Sequence, residues 1–172
     1  MLMLDETIVT ETPPLYSAYG RIGKQIEVPI TGNRSKRITH GAMNIKSGEV
    51  DLLISHEWNA QSSMHFLEQI RAKWRGWHIV LFEDRGSPHT AEDSVDLAER
   101  LRIEIRWLPR ATPELNAMDQ LWRRIKEETL GDRATLHIDR SALLLCQAII
   151  QLSPRERLKK AGVLSGHFWL AE

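Results

Sequence analysis

The sequence predicts an α/β fold in which a mixed sheet is flanked by helices. Two observations predict it: the first third of the chain reads as consecutive short strands, and the rest alternates between helical and strand periodicity. At 172 residues the chain is long enough for one domain with a substantial core. We therefore expect a single domain over residues 1–172, in which residues 133–172 form a C-terminal helical extension.

The first third of the chain has the pattern of an antiparallel meander. Four stretches are apolar or alternating, as β-strands are, and they cover residues 2–9, 25–30, 36–45 and 50–54. Pro13 and Pro14 end the first stretch, because consecutive prolines cannot remain in a sheet ladder. Turn residues at 31–33 and 46–49 separate the later stretches.

From residue 61 onward the pattern changes to helices and buried strands. Phe66, Ile70 and Trp74 recur at helical spacing and predict a helix over 61–74. The continuous apolar run 77–82 is typical of a strand in the centre of a sheet. The remaining pattern predicts helices over 91–101, 113–130 and 136–152, a strand over 103–108, and a short charged helix from Pro154.

The helix expected from Pro113 has recognisable start and stop signals. Proline suits the first helical turn, and Glu114 there complements the helix dipole. Gly131 is a typical stop residue.

Composition narrows the class of protein. Basic and acidic residues balance at 23 each, which counts against a stand-alone nucleic-acid binder but leaves room for a nuclease whose acidic metal ligands offset basic flanks. The single cysteine, Cys146, excludes a disulfide framework and a thiolate metal site. No stretch has the length of a membrane span or the pattern of a signal peptide, so we expect a cytoplasmic protein.

Three aspartates are the candidate catalytic and metal-ligating residues. Asp5 closes the apolar opening of the chain, Asp84 follows the 77–82 strand, and Asp119 lies in the helix expected from Pro113. Phosphodiester chemistry uses two divalent ions about 3.5–4 Å apart, and two or three carboxylates are enough to hold them because magnesium keeps several waters. The sequence therefore predicts that these three side chains converge at one edge of the sheet.

Each aspartate also has a structural interpretation. Asp5 and Asp84 could be turn residues at strand ends. Asp119 borders the apolar stripe of its helix, where an unpaired carboxylate is unfavourable unless a cation compensates it. That cation could be a metal ion, or it could be Arg123 or Lys126.

The motifs around these acids resemble those of a known family. Asp5-Glu6-Thr7, the block Asp84 to His89, and the block Leu108 to Trp122 with its Pro113-Glu114-Leu115-Asn116 core are similar to the catalytic core of DDE-type transposases. The resemblance is strongest to the bacterial insertion-sequence branch related to mariner elements, with aspartate as the third acid as in mariner itself. It spans roughly residues 4–131 and implies a ribonuclease H-like fold.

The resemblance also implies roles for particular residues. Asp5, Asp84 and Asp119 would bind two Mg²⁺ or Mn²⁺ ions and catalyse DNA end cleavage and strand transfer. His89 and Asn116 match further family positions and are expected to shape the site. Basic residues near the third acid are candidates for DNA phosphate contacts; they are Arg85, Arg110, Arg123, Arg124 and Lys126.

The expected partners follow from the same resemblance. They are DNA, both transposon ends and target, and a second copy of the chain in a homodimer. Family members carry a helix-turn-helix region ahead of the first catalytic strand, so we expect a separately encoded helix-turn-helix protein to supply it. Such a protein would act at the bacterial nucleoid.

Departures from the family pattern leave two alternatives open. Arg85 replaces the usual asparagine after the second aspartate, residues 110–112 replace Pro-Tyr-Ser, and Ala117 replaces a proline. One alternative is a catalytically impaired, truncated or domesticated remnant that acts as a binding or dimerisation module. The other is a ribonuclease H-like nuclease that does not transpose.

Overall fold

The computed structural model describes residues 1–17, 19–30, 32–133 and 137–170. Within these ranges it contains five strands and five α-helices. In chain order they are β1 (Leu2–Thr10), β2 (Lys36–Asn44), β3 (Val50–Ser55), α1 (Ala60–Lys73), β4 (Ile79–Glu83), α2 (Glu92–Arg100), β5 (Ile103–Trp107), α3 (Ala117–Leu130), α4 (Ile138–Gln151) and α5 (Pro154–Lys160).

The strands form one mixed sheet in the order β3-β2-β1-β4-β5. β1 and β3 both pair antiparallel with β2, whereas β4 pairs parallel with β1 and with β5. The antiparallel half comes from the meander, and the parallel half comes from the helix–strand alternation that follows it. This α/β architecture confirms the predicted fold class.

Helices cover both faces of the sheet, and each face has its own apolar core. On one face, α3, α4 and α5 pack around Met3, Met118 and Trp122, all of them almost fully buried. On the other, α1 and α2 pack around Leu4, Phe66, Leu81 and their neighbours. Successive residues of β1 alternate between the two cores, because side chains of a strand point to opposite faces in turn.

The C-terminal helices belong to the first of these cores. Ile138, Leu145 and Ile149 of α4 and Leu158 of α5 are buried together with the sheet and α3. The start of the predicted helix at Leu136 lies outside the described residues. The separation of residues 133–172 as an extension stays a prediction, although these helices share the main core. Cys146 of α4 is buried, as expected of a small apolar side chain.

One predicted strand is wrong. Residues 25–30 form no strand, and Ile26 and Ile30 are exposed. Pro29 lacks a backbone donor, and β2 already pairs with β1 on one side and β3 on the other, so this segment has no place beside it. The alternating pattern of residues 25–30 was therefore not sufficient to predict a strand.

The predicted helix start at Pro113 is wrong by four residues. Pro113–Leu115 forms a single 3₁₀ turn, and α3 begins only at Ala117. Asn116 lies between them in an extended conformation, and its side chain accepts a hydrogen bond from Met118 N, which is the contact of a helix N-cap. Gly131 ends α3 as predicted. Among the described helices, none combines the length and hydropathy needed to cross a bilayer.

β2 and α3 approach each other closely at Gly41. A Cβ atom at this position would overlap the methyl group of Met118 and lie 2.5 Å from Trp122 Cζ2. The methionine can move aside, but the buried indole cannot. The close approach brings α3 onto the centre of the sheet.

We expect Gly41→Ala to lower the free energy of unfolding by about 1–3 kcal/mol, the usual effect of overpacking a well-filled core. Urea unfolding followed by tryptophan fluorescence measures it. Gly166→Ala is the matched control, because a Cβ there meets no atom within 4 Å. Equal stability of the two variants would contradict this view of the β2–α3 contact.

Candidate active site

An open cleft of about 610 Å³ lies beside β1 and β4, and all three predicted aspartates line it. Asp5 comes from β1, Asp84 from the segment directly after β4, and Asp119 from the first turn of α3. Residues 108–113 form a further part of the wall. The structure thus brings together three carboxylates from three separate elements.

Asp5 lies inside β1, as the predicted strand over residues 2–9 implies, and not at a strand end, as its interpretation as a turn residue requires. The strand continues to Thr10 because residues 5–10 pair with β2, from Asp5 opposite Gly41 to Thr10 opposite Lys36. Asp5 shares the face of Met3, so its side chain is on the side of α3. A role as a turn former is therefore excluded for this residue.

Asp84 is a turn residue and a cleft residue at the same time. Its Oδ1 accepts a hydrogen bond from Gly86 N at 2.9 Å, while the side chain remains 59% exposed. The two interpretations made from the sequence are compatible, because the turn uses one carboxylate oxygen and leaves most of the group accessible.

Asp119 has a buried oxygen without a partner. Its Oδ2 is shielded from solvent and makes no hydrogen bond to any described residue. Lys126, one of the two cations proposed to compensate it, instead donates from Nζ to Ile8 O at 2.8 Å. An unsatisfied buried carboxylate oxygen is unfavourable and calls for a ligand.

Asn116 connects α3 to the strand that carries Asp5. Besides capping α3, its side-chain amide donates to Leu4 O at 2.8 Å, in a fully buried position. Trp122 Nε1 lies 3.4 Å from Asp5 O on the same side. These contacts hold the first turn of α3, and with it Asp119, against the middle of β1.

The electrostatics of the cleft favour a bound cation. Burial raises the pKa of Asp5 well above its ordinary value, and the negative charges of Glu6, Asp119 and Asp84 raise it further. Burial also raises the pKa of Asp119, although Arg123 and Lys126 act in the opposite direction. A divalent cation between these carboxylates would relieve both effects.

The donor set fits a hard divalent ion. Carboxylate oxygens are the ligands that Mg²⁺ and Mn²⁺ prefer, and the buried Asp119 Oδ2 is available for such a bond. Within the described ranges, no three histidine, cysteine or acidic side chains are already gathered closely enough to hold an ion. The chemistry of these oxygen ligands thus fits a divalent metal ion, while the three carboxylates are still too far apart to share one.

A buried polar cluster lies behind the cleft, on the α1 and α2 face of the sheet. Glu6, His40, Glu83 and His89 form it, and Ser55 extends it. Of these residues, only His89 was predicted from the sequence to shape the site. The position of Glu6 could have been predicted from strand alternation, because the side chain that follows Asp5 in a strand points to the opposite face of the sheet.

The cluster contains a buried pair of opposite charges. Burial alone would raise the pKa of Glu6, but hydrogen bonds from His40 and His89 lower it to about 2. Burial alone would lower the pKa of His89, but the contact with Glu6 raises it to about 9. Burial raises the pKa of Glu83 to about 8, so it is mostly neutral at pH 7 while Glu6 and His89 are charged.

The five predicted DNA-contacting residues fall into two groups. Arg85 and Arg110 line the cleft, and the Arg85 guanidinium lies 6.0 Å from the Trp107 ring centroid. Arg123, Arg124 and Lys126 lie along α3 outside the cleft lining, the two arginines exposed and Lys126 bound to β1. Only the first group lines the same cleft as the three aspartates.

Comparison with solved structures shows that the chain has a ribonuclease H-like fold. Mos1 transposase in a paired-end complex with the left transposon end is 16% identical at a TM-score of 0.71, and the match covers 93% of this chain and 50% of that one. The Mos1 mariner catalytic domain is 14% identical at a TM-score of 0.65, covering 93% and 74%. A simian T-cell lymphotropic virus intasome chain is 12% identical at 0.56, covering 88% and 48%.

A family model described as DDE superfamily endonuclease matches residues 1–141. The chain therefore belongs to the DDE superfamily of endonucleases. It spans about half the length of the Mos1 chain in the paired-end complex. No curated protein sequence matched significantly. The family prediction is confirmed, and the assignment to the bacterial insertion-sequence branch stays a prediction.

We expect Asp5→Asn to stabilise the metal-free chain at pH 7. The native pKa of Asp5 is raised, so the native state keeps this proton to a higher pH than the unfolded chain does. Stability is therefore lost as pH rises from the ordinary aspartate range through the native pKa, and it remains lost above it. Asparagine removes the charge and should therefore raise the free energy of unfolding at pH 7.

Urea unfolding in EDTA at pH 7 and pH 4 measures this effect, and the difference should shrink at pH 4. Asp96→Asn on the exposed side of α2 is the control. An Asp5→Asn chain that is no more stable than the parent at pH 7 would show that neither burial nor the neighbouring carboxylates make the Asp5 charge unfavourable in the native state.

Proposed function

We propose that this chain is the catalytic domain of a transposase, which cleaves DNA at element ends and transfers the cleaved strand to target DNA. The observation that supports this most directly is the convergence of Asp5, Asp84 and Asp119 on one cleft of a DDE superfamily endonuclease. The similarity to Mos1 transposase bound to a transposon end points to the same substrate.

Asp5, Asp84 and Asp119 would hold two divalent ions in this proposal. Among the matched structures, Mos1 paired-end complexes are described with Mn and with Mg. When bound, such ions activate the attacking oxygen and stabilise the leaving oxygen of the phosphodiester. Asp119 suits ligation because one of its oxygens is already buried without a partner, and Asp5 suits it because its charge is unfavourable without a cation.

The remaining residues of the site would bind and orient the substrate. Arg85 and Arg110 line the cleft and would neutralise phosphates on either side of the reacting one. Asn116 would fix Asp119 relative to Asp5 through its contacts with α3 and Leu4 O. We also propose that the whole chain acts as one catalytic domain with 133–172 as its helical extension.

The partners in this proposal are DNA, a second copy of the chain, and a helix-turn-helix protein that recognises the element ends. Strand transfer requires two ends to be held together, which a homodimer would accomplish. A chain acting on DNA in this way would work in the cytoplasm, at the nucleoid.

A catalytically impaired remnant is the second candidate. It is favoured by Arg85, which places a long cation in the cleft where the family pattern has a short amide. A folded chain that binds DNA, and that neither Mg²⁺ nor Mn²⁺ enables to cut it, would favour this candidate. Cleavage of RNA–DNA hybrids without any preference for element ends would favour a non-transposing nuclease.

We expect Asp84→Ala to abolish metal-dependent nicking and strand transfer on terminal-repeat DNA. Several kcal/mol of transition-state stabilisation would be lost, and at 1.36 kcal/mol per factor of ten this lowers the rate by roughly 1,000-fold or more. Single-turnover assays on labelled DNA with Mg²⁺ or Mn²⁺ measure it. Asp96→Ala, an exposed acid of α2, should keep the parent rate, and equal activity of Asp84→Ala and the parent would refute the proposed site.

We expect Arg110→Ala to weaken DNA binding to a similar degree on every sequence. Loss of one phosphate contact should reduce the slope of log affinity against log salt by about 0.9. Fluorescence anisotropy over a salt series measures both quantities. Arg100→Ala, an exposed residue at the end of α2, is the control, and an unchanged slope for Arg110→Ala would exclude Arg110 from the DNA contact.

A further inference from the structure

Glu6 lies directly behind the proposed metal site. It follows Asp5 in β1, but its side chain points to the opposite face of the sheet, where Phe66, Leu67 and His89 surround it. Its carboxylate is only 9% exposed. A carboxylate in such a position needs strong polar contacts, because its desolvation is costly.

The Glu6 carboxylate bridges two histidines from different elements. His40 Nδ1 of β2 donates to Oε1 at 3.0 Å, and His89 Nε2 donates to Oε2 at 3.0 Å. His40 Nε2 is in turn hydrogen-bonded to Ser55 Oγ at the end of β3, at 2.9 Å. The bridge therefore joins three neighbouring strands to the segment that follows β4.

This bridge lies where the backbone ladder between β1 and β4 has ended. The two strands pair at Leu2 with Leu81 and at Met3 with Phe82, and no further pair follows among the described residues. Asp5 and Asp84 are both beyond the last pair. The β1–β4 ladder thus stops two residues before each aspartate, and no backbone pair between the two strands joins Asp5 to Asp84 directly.

His89 is closely coupled to Asp84. Its backbone N donates to Gly86 O at 3.0 Å, and Gly86 N donates to Asp84 Oδ1. His89 Nε2 also lies 3.8 Å from Asp84 Oδ1. A Cβ on Gly86 would be 2.7 Å from Trp58 Cζ2 and 3.1 Å from Asp84 Oδ1, so the turn has no spare room. His89 is therefore linked to Asp84 through Gly86 and through their own close approach.

We propose that Glu6 is a positioning residue, which sets the separation of Asp5 and Asp84 through its bridge to His89 and His40. The proposal rests on the proposed metal site, whose ion spacing this separation determines. Groups that hold and orient metal ligands typically change metal affinity by about 10–100-fold when they are removed.

Fold stability alone does not account for such a bridge. Buried charge networks seldom stabilise a fold more than apolar residues of the same volume would, since their desolvation offsets their attraction. Their directional hydrogen bonds do fix geometry. Here the bridge fixes the position of Glu6, which adjoins Asp5 in β1, relative to that of His89, which adjoins Asp84 in the turn after β4.

The test compares Mn²⁺ binding by the parent, Glu6→Gln, His89→Gln and the double variant, using titration calorimetry well below their unfolding temperatures. Glutamine has the shape of glutamate, so Glu6→Gln removes the charged bridge with little change in packing. Glu104→Gln makes the same substitution on β5, outside the cleft lining, and is the matched control. Thermal unfolding establishes that each variant is folded.

We expect each single variant to bind Mn²⁺ roughly 10-fold or more weakly. The double variant should be no weaker than the weaker single one, because both changes break the same link. In single-turnover nicking, raising Mn²⁺ should recover most of the rate for Glu6→Gln. A residue that only stabilised the fold would shift the unfolding temperature without this change in metal requirement.

Three results would overturn the proposal. Folded Glu6→Gln with parent Mn²⁺ affinity would show that the bridge does not position the ligands. Additive effects of Glu6→Gln and His89→Gln would show that they act separately, and failure of both variants to fold would assign the bridge to the fold. A folded parent that neither binds Mn²⁺ nor cleaves DNA would refute the proposed function itself, and is recognised before any variant is made.

Discussion

β1 is paired on both sides, and this central position is the constraint on which the rest of the structure depends. It is the only strand in the described sheet that has one antiparallel and one parallel neighbour, so it joins the meander to the helix–strand half. Its residues supply both apolar cores. The cleft opens where its pairing with β4 ceases, and α3 is fixed against it by Asn116.

The same strand explains how two different acidic environments coexist a few ångströms apart. On the α3 face, carboxylates repel one another, and burial leaves Asp5 and an oxygen of Asp119 without compensation. On the α1 face, Glu6 is fully compensated by two histidines. In our proposals, the α3 face binds the metal ions, and the α1 face holds Asp5 and Asp84 in position for them.

Much of the fold could be predicted because its elements have strong local signals. Helical spacing of Phe66, Ile70 and Trp74 predicted α1, and the apolar run before Asp84 predicted β4. The flanking motifs of Asp84 and Asp119 marked these two residues as candidates for the site. Residues 25–30 were mispredicted because alternation says nothing about whether a neighbouring strand edge is free. Asp5 was interpreted as a strand-end residue because it closes the apolar opening of the chain, whereas pairing with β2, a long-range interaction, continues the strand to Thr10.

Most of the polar cluster could not be predicted from the sequence, because it too depends on long-range strand pairing. Glu6, His40 and Ser55 are far apart along the chain, and only the register of β1 with β2 and of β2 with β3 brings them together. A buried carboxylate has no periodic signature of its own, and a histidine in an apolar strand reads as core. Asn116, in contrast, was found through its motif, although its contact with Leu4 O could not be.

The opposite orientation of Asp5 and Glu6 has a consequence for how this gene can change. Inserting or deleting a single codon ahead of Asp5 within β1 would exchange the two side chains between faces, placing the histidine-binding carboxylate in the cleft and the aspartate in the buried polar cluster. No single substitution could return both side chains to their original faces. Length variation in descendants of this sequence should therefore accumulate between β1 and β2, where the described residues of 11–35 form no strand, while β1 itself keeps its length.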